Sequence, residues 1–305
     1  AKISFAFVKM GYLFIVIASV SVGGQFALSK VYKNKIIQSN YTDLFFNFGM
    51  GAFSMLIFAV ICLGNVGFSW YSFGLAAGVA LCNVAYMLCN LRAVMYGKLA
   101  VFTMFLMLGG MIFPTIFGVL FLGETMSWFK IAGVALLVFS MIFSATEKTR
   151  GKNSKKLYLL CFIAFVCNGL VSIFSKVHQI SENALDTFQF SFWQSVVVAA
   201  SVGILLLICA AASHKQENFA LAVRQTAGAK SLGLIFLITV IMRAGSVLML
   251  FAAKDVPASL LYPLMTGISI VVTAVFGRIF FAERISKINF ISLCIDTAAV
   301  ILMIF

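Results

Sequence analysis

Charge is scarce in this sequence. Only 10% of its 305 residues are Asp, Glu, Lys or Arg, whereas 63% are hydrophobic. A soluble domain carries roughly 45–50% apolar and about 25% charged residues, so a water-soluble globular chain is excluded at once. The mean hydropathy of +1.09 agrees. Histidine is scarcer still: His178 and His214 are the only two, and both fall at helix ends or in loops. That is little material for a metal centre or for His-based catalysis. Paired cysteine spacing is also lacking. Cys62, Cys82, Cys89, Cys161, Cys167, Cys209 and Cys294 all lie in or beside apolar runs, where a thiol behaves as a small hydrophobe. No Walker-type phosphate loop occurs, which argues against direct coupling to ATP.

What is present is one long apolar run after another. About 20 apolar residues cover a hydrocarbon core of roughly 30 Å, and ten such spans are read at approximately 10–31, 44–64, 70–91, 99–122, 129–146, 157–177, 187–212, 231–253, 258–281 and 288–305. The runs are continuous, without the alternation of a membrane barrel, so the spans are helices. The longest polar stretches, Thr146–Lys156 and Ser213–Lys230, leave no room for a soluble domain. The net charge of +13 sits almost wholly between the runs. It therefore points to phospholipid headgroups and topology, with no nucleic acid among the expected partners. The first run is read as a span and not as a removed signal peptide.

The second half repeats the first. At a shift of 159 residues Ala93 meets Ala252, Phe117-Gly118 meets Phe276-Gly277, Phe121 meets Phe280, Glu124 meets Glu283 and Ser127 meets Ser286. In the first helix of each half, Ser29-Lys30-Val31 answers Ser175-Lys176-Val177 at a shift of 146. The 13-residue difference requires extra residues before the eighth span, around Lys215–Lys230. The expected fold is all-α integral membrane, ten transmembrane helices as two inverted five-helix repeats, residues 1–150 and 151–305. Five spans per unit make the second enter the membrane opposite to the first, an arrangement associated with alternating-access transporters.

Phe121-Leu122-Gly123-Glu124 and Phe280-Phe281-Ala282-Glu283, each followed by a short turn and another apolar helix, resemble the drug/metabolite transporter superfamily, in its ten-span, EamA-like branch of paired five-helix units. Leu261-Tyr262-Pro263-Leu264-Met265-Thr266-Gly267 is similar to the third-helix motif of the small multidrug resistance proteins of the same superfamily. The resemblance implies a transporter, with efflux as its direction, and Tyr262 in the substrate path. The small multidrug proteins place a glutamate eight residues before a first-helix lysine. Taking Lys30 and Lys176 as that lysine puts Val22 and Asn168 at its position, and spans 1–4 and 6–9 hold no acid away from their ends. Proton-coupled exchange of organic cations needs such an acid.

An ionisable residue inside a bilayer is costly, so it is a functional candidate by default. Arg243, near the middle of the eighth span, is the clearest: its fork of donors suits a carboxylate or phosphate, unless it pairs with Asp296 of the tenth span. Lys30 and Lys176, near span ends, either snorkel to headgroups or set a cation at each mouth of a cavity. Asn83, Tyr86 and Asn168 either line that cavity or bond between helices, as Asn47, Gln25, Gln189 and Gln194 are expected to do. Pro114 and Pro263 remove a backbone bond and can act as gating hinges. Glu124 and Glu283 read as structural residues at helix ends, with Arg278 or Arg284 able to neutralise Glu283. Gly109-Gly110, Gly74/Gly78 and Gly49/Gly51 read as close-packing sites.

These expectations describe a secondary transporter, no enzyme, with no cofactor and no metal, moving a small anionic or zwitterionic metabolite such as an amino acid. Its other partners are the lipid bilayer and a coupling ion (H+ or Na+), its state monomer or homodimer, and its place the plasma (inner) membrane of a prokaryote. The rivals are a multidrug exporter with a loosely selective aromatic cavity and a membrane-embedded enzyme acting on lipid-linked substrates. Orientation stays open. Fourteen basic residues in the odd-numbered loops against five opposite place both termini outside, while the resemblance implies both inside.

Overall fold

A backbone inside lipid has no water to bond with and must satisfy its own polar groups, which a helix does within one segment. The computed structural model describes residues 2–35, 39–96, 99–145, 155–212, 216–282 and 286–304; among these it contains eleven α-helices and no strand. They are α1 (Lys2–Lys35), α2 (Asn40–Ile61), α3 (Trp70–Tyr96), α4 (Leu99–Phe121), α5 (Trp128–Ala145), α6 (Lys155–Ile180), α7 (Thr187–Ala212), α8 (Gln216–Thr226), α9 (Ala229–Asp255), α10 (Ala258–Phe281) and α11 (Lys287–Ile304). Nine are long and apolar enough to cross a membrane, and the apolar stretch of α5, Trp128–Ser144, is shorter. The protein is an all-α integral membrane protein whose ten long helices match the ten apolar runs. The eleventh, α8, is a short helix lying where the offset between the repeats requires extra residues.

The helix boundaries carry the internal repeat. A shift of 159 takes the first residues of α3, α4 and α5 (Trp70, Leu99, Trp128) onto those of α9, α10 and α11 (Ala229, Ala258, Lys287). Packing repeats as well: α1 lies against α9 and α10 as α6 lies against α3 and α4, while α2 meets α7, α5 meets α11 and α4 meets α10. Closest approaches coincide under the same shifts, Gly23 of α1 facing Val272 of α10 as Gly169 of α6 faces Phe113 of α4. The division at residues 150 and 151 falls within 146–154, outside the described residues.

Small residues set these approaches. A side chain on Gly109 would strike the Phe165 carbonyl, one on Gly110 the Asn168 amide, and one on Gly51 the Ala199 backbone at 3.2 Å. Gly49 and Gly78 likewise face Ile235 and the Phe174 ring. Gly74 is a correction, since nothing lies within 4 Å of where its Cβ would be. The largest buried cluster, including Ile15, Met111, Leu137, Leu261 and Met303, joins α1, α4, α5, α10 and α11.

With successive spans crossing in alternate directions, the α2–α3, α4–α5, α6–α7 and α9–α10 connections fall at one end of the bundle, termed end A. The α1–α2, α3–α4, α5–α6, α7–α9 and α10–α11 connections lie at the other, end B.

Candidate functional site

Arg243 sits 14 residues into α9 and 12 before its last residue, so at a rise of 1.5 Å per residue it is roughly 20 Å from either end of its helix. Protein atoms crowd around the side chain, which is half-buried by accessible surface. Its Nε donates to Ser54 Oγ of α2 at 2.6 Å. Its two Nη groups have no hydrogen-bond partner and no carboxylate within ion-pair distance among the described residues. The alternative pairing with Asp296 is not made: that carboxylate is buried beside Ser140 of α5, one of its oxygens without a partner.

Tyr86 of α3 is crowded in the same way, half-buried by surface, and within electrostatic reach of Arg243. Asn83, one helical turn earlier, shares its face at the i, i+3 spacing. It keeps accessible surface and makes no side-chain hydrogen bond among the described residues. Arg243 thus meets Ser54 directly and Tyr86 electrostatically, with Asn83 on the Tyr86 face of α3, and no acidic group pairs with Arg243 among the described residues. Ser54 was not singled out from sequence. A serine in a helix ordinarily bonds back to the turn before it, and Ser54 does so too, donating to Met50 O at 2.6 Å.

Other candidates are engaged elsewhere. Asn168 Nδ2 donates to Leu106 O of α4 at 2.7 Å, an interhelical bond. Tyr262 is buried, its hydroxyl donating to Ser172 O of α6 at 2.7 Å. Pro114 cannot supply the N–H that Gly110 O would otherwise receive, and Ser172 Oγ donates there at 3.2 Å. Pro263 is buried near the start of α10. Lys30 places its ammonium 4.6 Å from the centre of the Phe281 ring, a cation–π contact at end B. Asn47 bonds within its own helix, to Asp43 O. Glu283 and Arg284 lie outside the described residues.

End A is held by polar contacts between helices. Lys176 is buried, and its Nζ donates to Ala253 O in the last turn of α9 at 2.7 Å and to Val256 O, just past its end, at 2.8 Å. Glu124 accepts from the first N–H groups of α10, Oε1 from Ala258 and Oε2 from Ser259, both at 2.7 Å. The turn that delivers it closes with Glu124 N–H on Gly118 O while Gly123 adopts a left-handed φ of 65°, which glycine allows without a Cβ penalty. His178, read from sequence as a helix-end residue, is fully buried. It stacks on Phe190 at 3.6 Å, with Ser72 at 3.1 Å from Nε2 and Gln179 at 3.1 Å from Nδ1. Ser72 also receives the Leu185 N–H, and Trp193 Nε1 donates to Gly67 O at 3.0 Å. Among the described residues no cluster of three potential metal ligands occurs.

Three comparisons bear on this geometry. Residues 155–305 match the model of the EamA-like transporter family. A solved structure described only as a crystal structure of a protein superposes with a TM-score of 0.65 at 15% identity, over 97% of this chain and 96% of that one, which shows a shared fold. No curated protein matches.

Proposed function

We propose, from the premise that residues 155–305 belong to the EamA-like transporter family, that this multi-pass membrane transporter is a secondary carrier of small anionic or zwitterionic metabolites. An amino acid or a related carboxylate is the substrate we favour, moved by alternating access and outward across the membrane. The observation that carries the reading is the Arg243 guanidinium, half-buried at mid-helix with its Nη donors open and no acid beside it among the described residues. A lone cation in a low-dielectric interior is costly unless an anion completes it, and two parallel N–H groups match the two oxygens of a carboxylate. Tyr86, Asn83 and Ser54 would fix the rest of the ligand.

Heating the purified wild type and Arg243→Ala with panels of amino acids, organic anions and organic cations tests this. Stabilisation by a carboxylate, lost in the variant, is expected and selects the substrate for a liposome flux assay. Stabilisation by cations, unchanged in the variant, would overturn the anionic site and put a multidrug exporter in its place. Conversion of a substrate into a new product would revive the membrane-embedded enzyme.

A further inference from the structure

A serine or threonine buried in a helix ordinarily donates its hydroxyl to the carbonyl one turn back, as Ser19, Thr115, Ser191, Ser195 and Thr239 do. The seam between α5 and α11 departs from that habit. Ser140 Oγ donates across it to Ser292 O at 2.9 Å, and Ser292 Oγ, itself buried, has no partner. One turn along the same face of α11, Asp296 is 2% exposed, with Ser140 beside it and Oδ1 without a partner. It is the tenth of the eighteen residues of α11, far from either end. Among the described residues no basic side chain acts on it, so this carboxylate lacks the counter-charge that burial demands.

Packing alone does not require these groups. Under the 159-residue shift Asp296, Ser292 and Ser140 have Leu137, Gly133 and Ala299 as mates, and these pack as apolar core, Leu137 and Ala299 fully buried and Gly133 against Met303. A shared proton does not satisfy them either, because Asp296 Oδ1 and Ser292 Oγ make no hydrogen bond to each other. Side chains one turn apart stand about 5–6 Å from each other at Cβ, and oxygens too far apart for a hydrogen bond can still hold one hard cation at about 2.4 Å. We propose that Asp296 Oδ1, Ser292 Oγ and Ser140 Oγ form a binding site for one sodium ion in the α5–α11 seam. All three ligands are hard oxygens, and the single carboxylate matches a monovalent charge. Ser144 Oγ, donating to Asn289 Oδ1 at 2.8 Å, continues the polar seam toward end B at half-buried positions, which gives the ion a way in. The site shares no residue with the proposed substrate site and stands whether or not that site takes an anion.

Thermal unfolding of the purified full chain in sodium-free buffer, without added carboxylates, tests it. Sodium chloride is expected to raise the wild-type midpoint saturably, and potassium chloride at equal ionic strength is not. Asp296→Asn keeps the shape, removes the charge and is expected to abolish the sodium response. Ser292→Ala, which leaves the charge, should weaken sodium affinity about tenfold, the effect of losing one ligand. Equal shifts with both salts, or a sodium response kept by Asp296→Asn, would overturn the site. So would a wild-type midpoint that follows pH and ignores sodium, since a proton then occupies the carboxylate. Should Asp296→Asn fail to fold, Ser292→Ala decides, because unchanged sodium affinity overturns the site equally. A sodium response in a protein that no added carboxylate stabilises would leave this site standing and remove only the anionic-substrate reading.

Discussion

The two halves of the molecule share a skeleton and differ where chemistry is placed. Under the 159-residue shift the helix starts of α3, α4 and α5 reappear in α9, α10 and α11, yet Arg243 has Val84 as its counterpart and Tyr86 has Gly245. Gly245 packs against Ser21 of α1, so the position that is a close-packing glycine in one half is a half-buried tyrosine near Arg243 in the other. The repeat supplies two similar helix sets, and the proposed substrate site departs from their symmetry at a few positions. The turns that end α4 and α10 show the same split on a smaller scale. Gly123 adopts its left-handed conformation freely, whereas its counterpart Ala282 holds a φ of 49° with a Cβ in place.

The largest break in that comparison is Arg243→Ala. Removing one partner of a desolvated charge contact costs roughly 2–5 kcal/mol, so carboxylate affinity measured by calorimetry should fall by about 30-fold or more. Arg243→Lys should recover part of it, because the charge remains and the planar fork does not. Next comes the α4–α6 contact. Gly109→Val drives a side chain into the Phe165 backbone and should cost about 3 kcal/mol of stability. At the matching position of α10, Ile268→Val should cost about 1 kcal/mol, both read as shifts in unfolding midpoint. The smallest effects belong to the turns. Gly123→Ala should destabilise and Ala282→Gly stabilise, each by about 1 kcal/mol, since a Cβ is penalised in the left-handed region. Opposite signs for these opposite substitutions would show that both turns impose the same left-handed backbone, which glycine meets and alanine strains.

Much of the fold was legible in the sequence because each span is a local fact. Twenty apolar residues must be helical in lipid whatever their neighbours are, and a matched pair of Phe-x-x-Glu turns separated by 159 residues marks a repeat before any contact is known. Candidate polar residues were legible only as types. Asn168 and Asn83 look alike in the chain, but one spans to Leu106 O and the other keeps accessible surface without a bond. Tyr262 and Tyr86 divide in the same way. Glu124 was recognised as a helix-end residue, yet the helix end it serves is that of α10 and not its own.

The sequence by itself determined the ten long helices and their order, because hydropathy and turn chemistry act on neighbouring residues, while the short α8 was not foreseen. Only the tertiary structure decided which buried polar groups are spent on packing and which are left open. In a bilayer the outside of a helix is as apolar as the protein interior, so periodicity along the chain does not mark the face that turns inward. That choice comes from glycine contacts and charge-assisted bonds between residues far apart. Arg243 bonds to Ser54 and not to Asp296, because α9 packs against α1, α2 and α6 while α11 packs against α5 and α10.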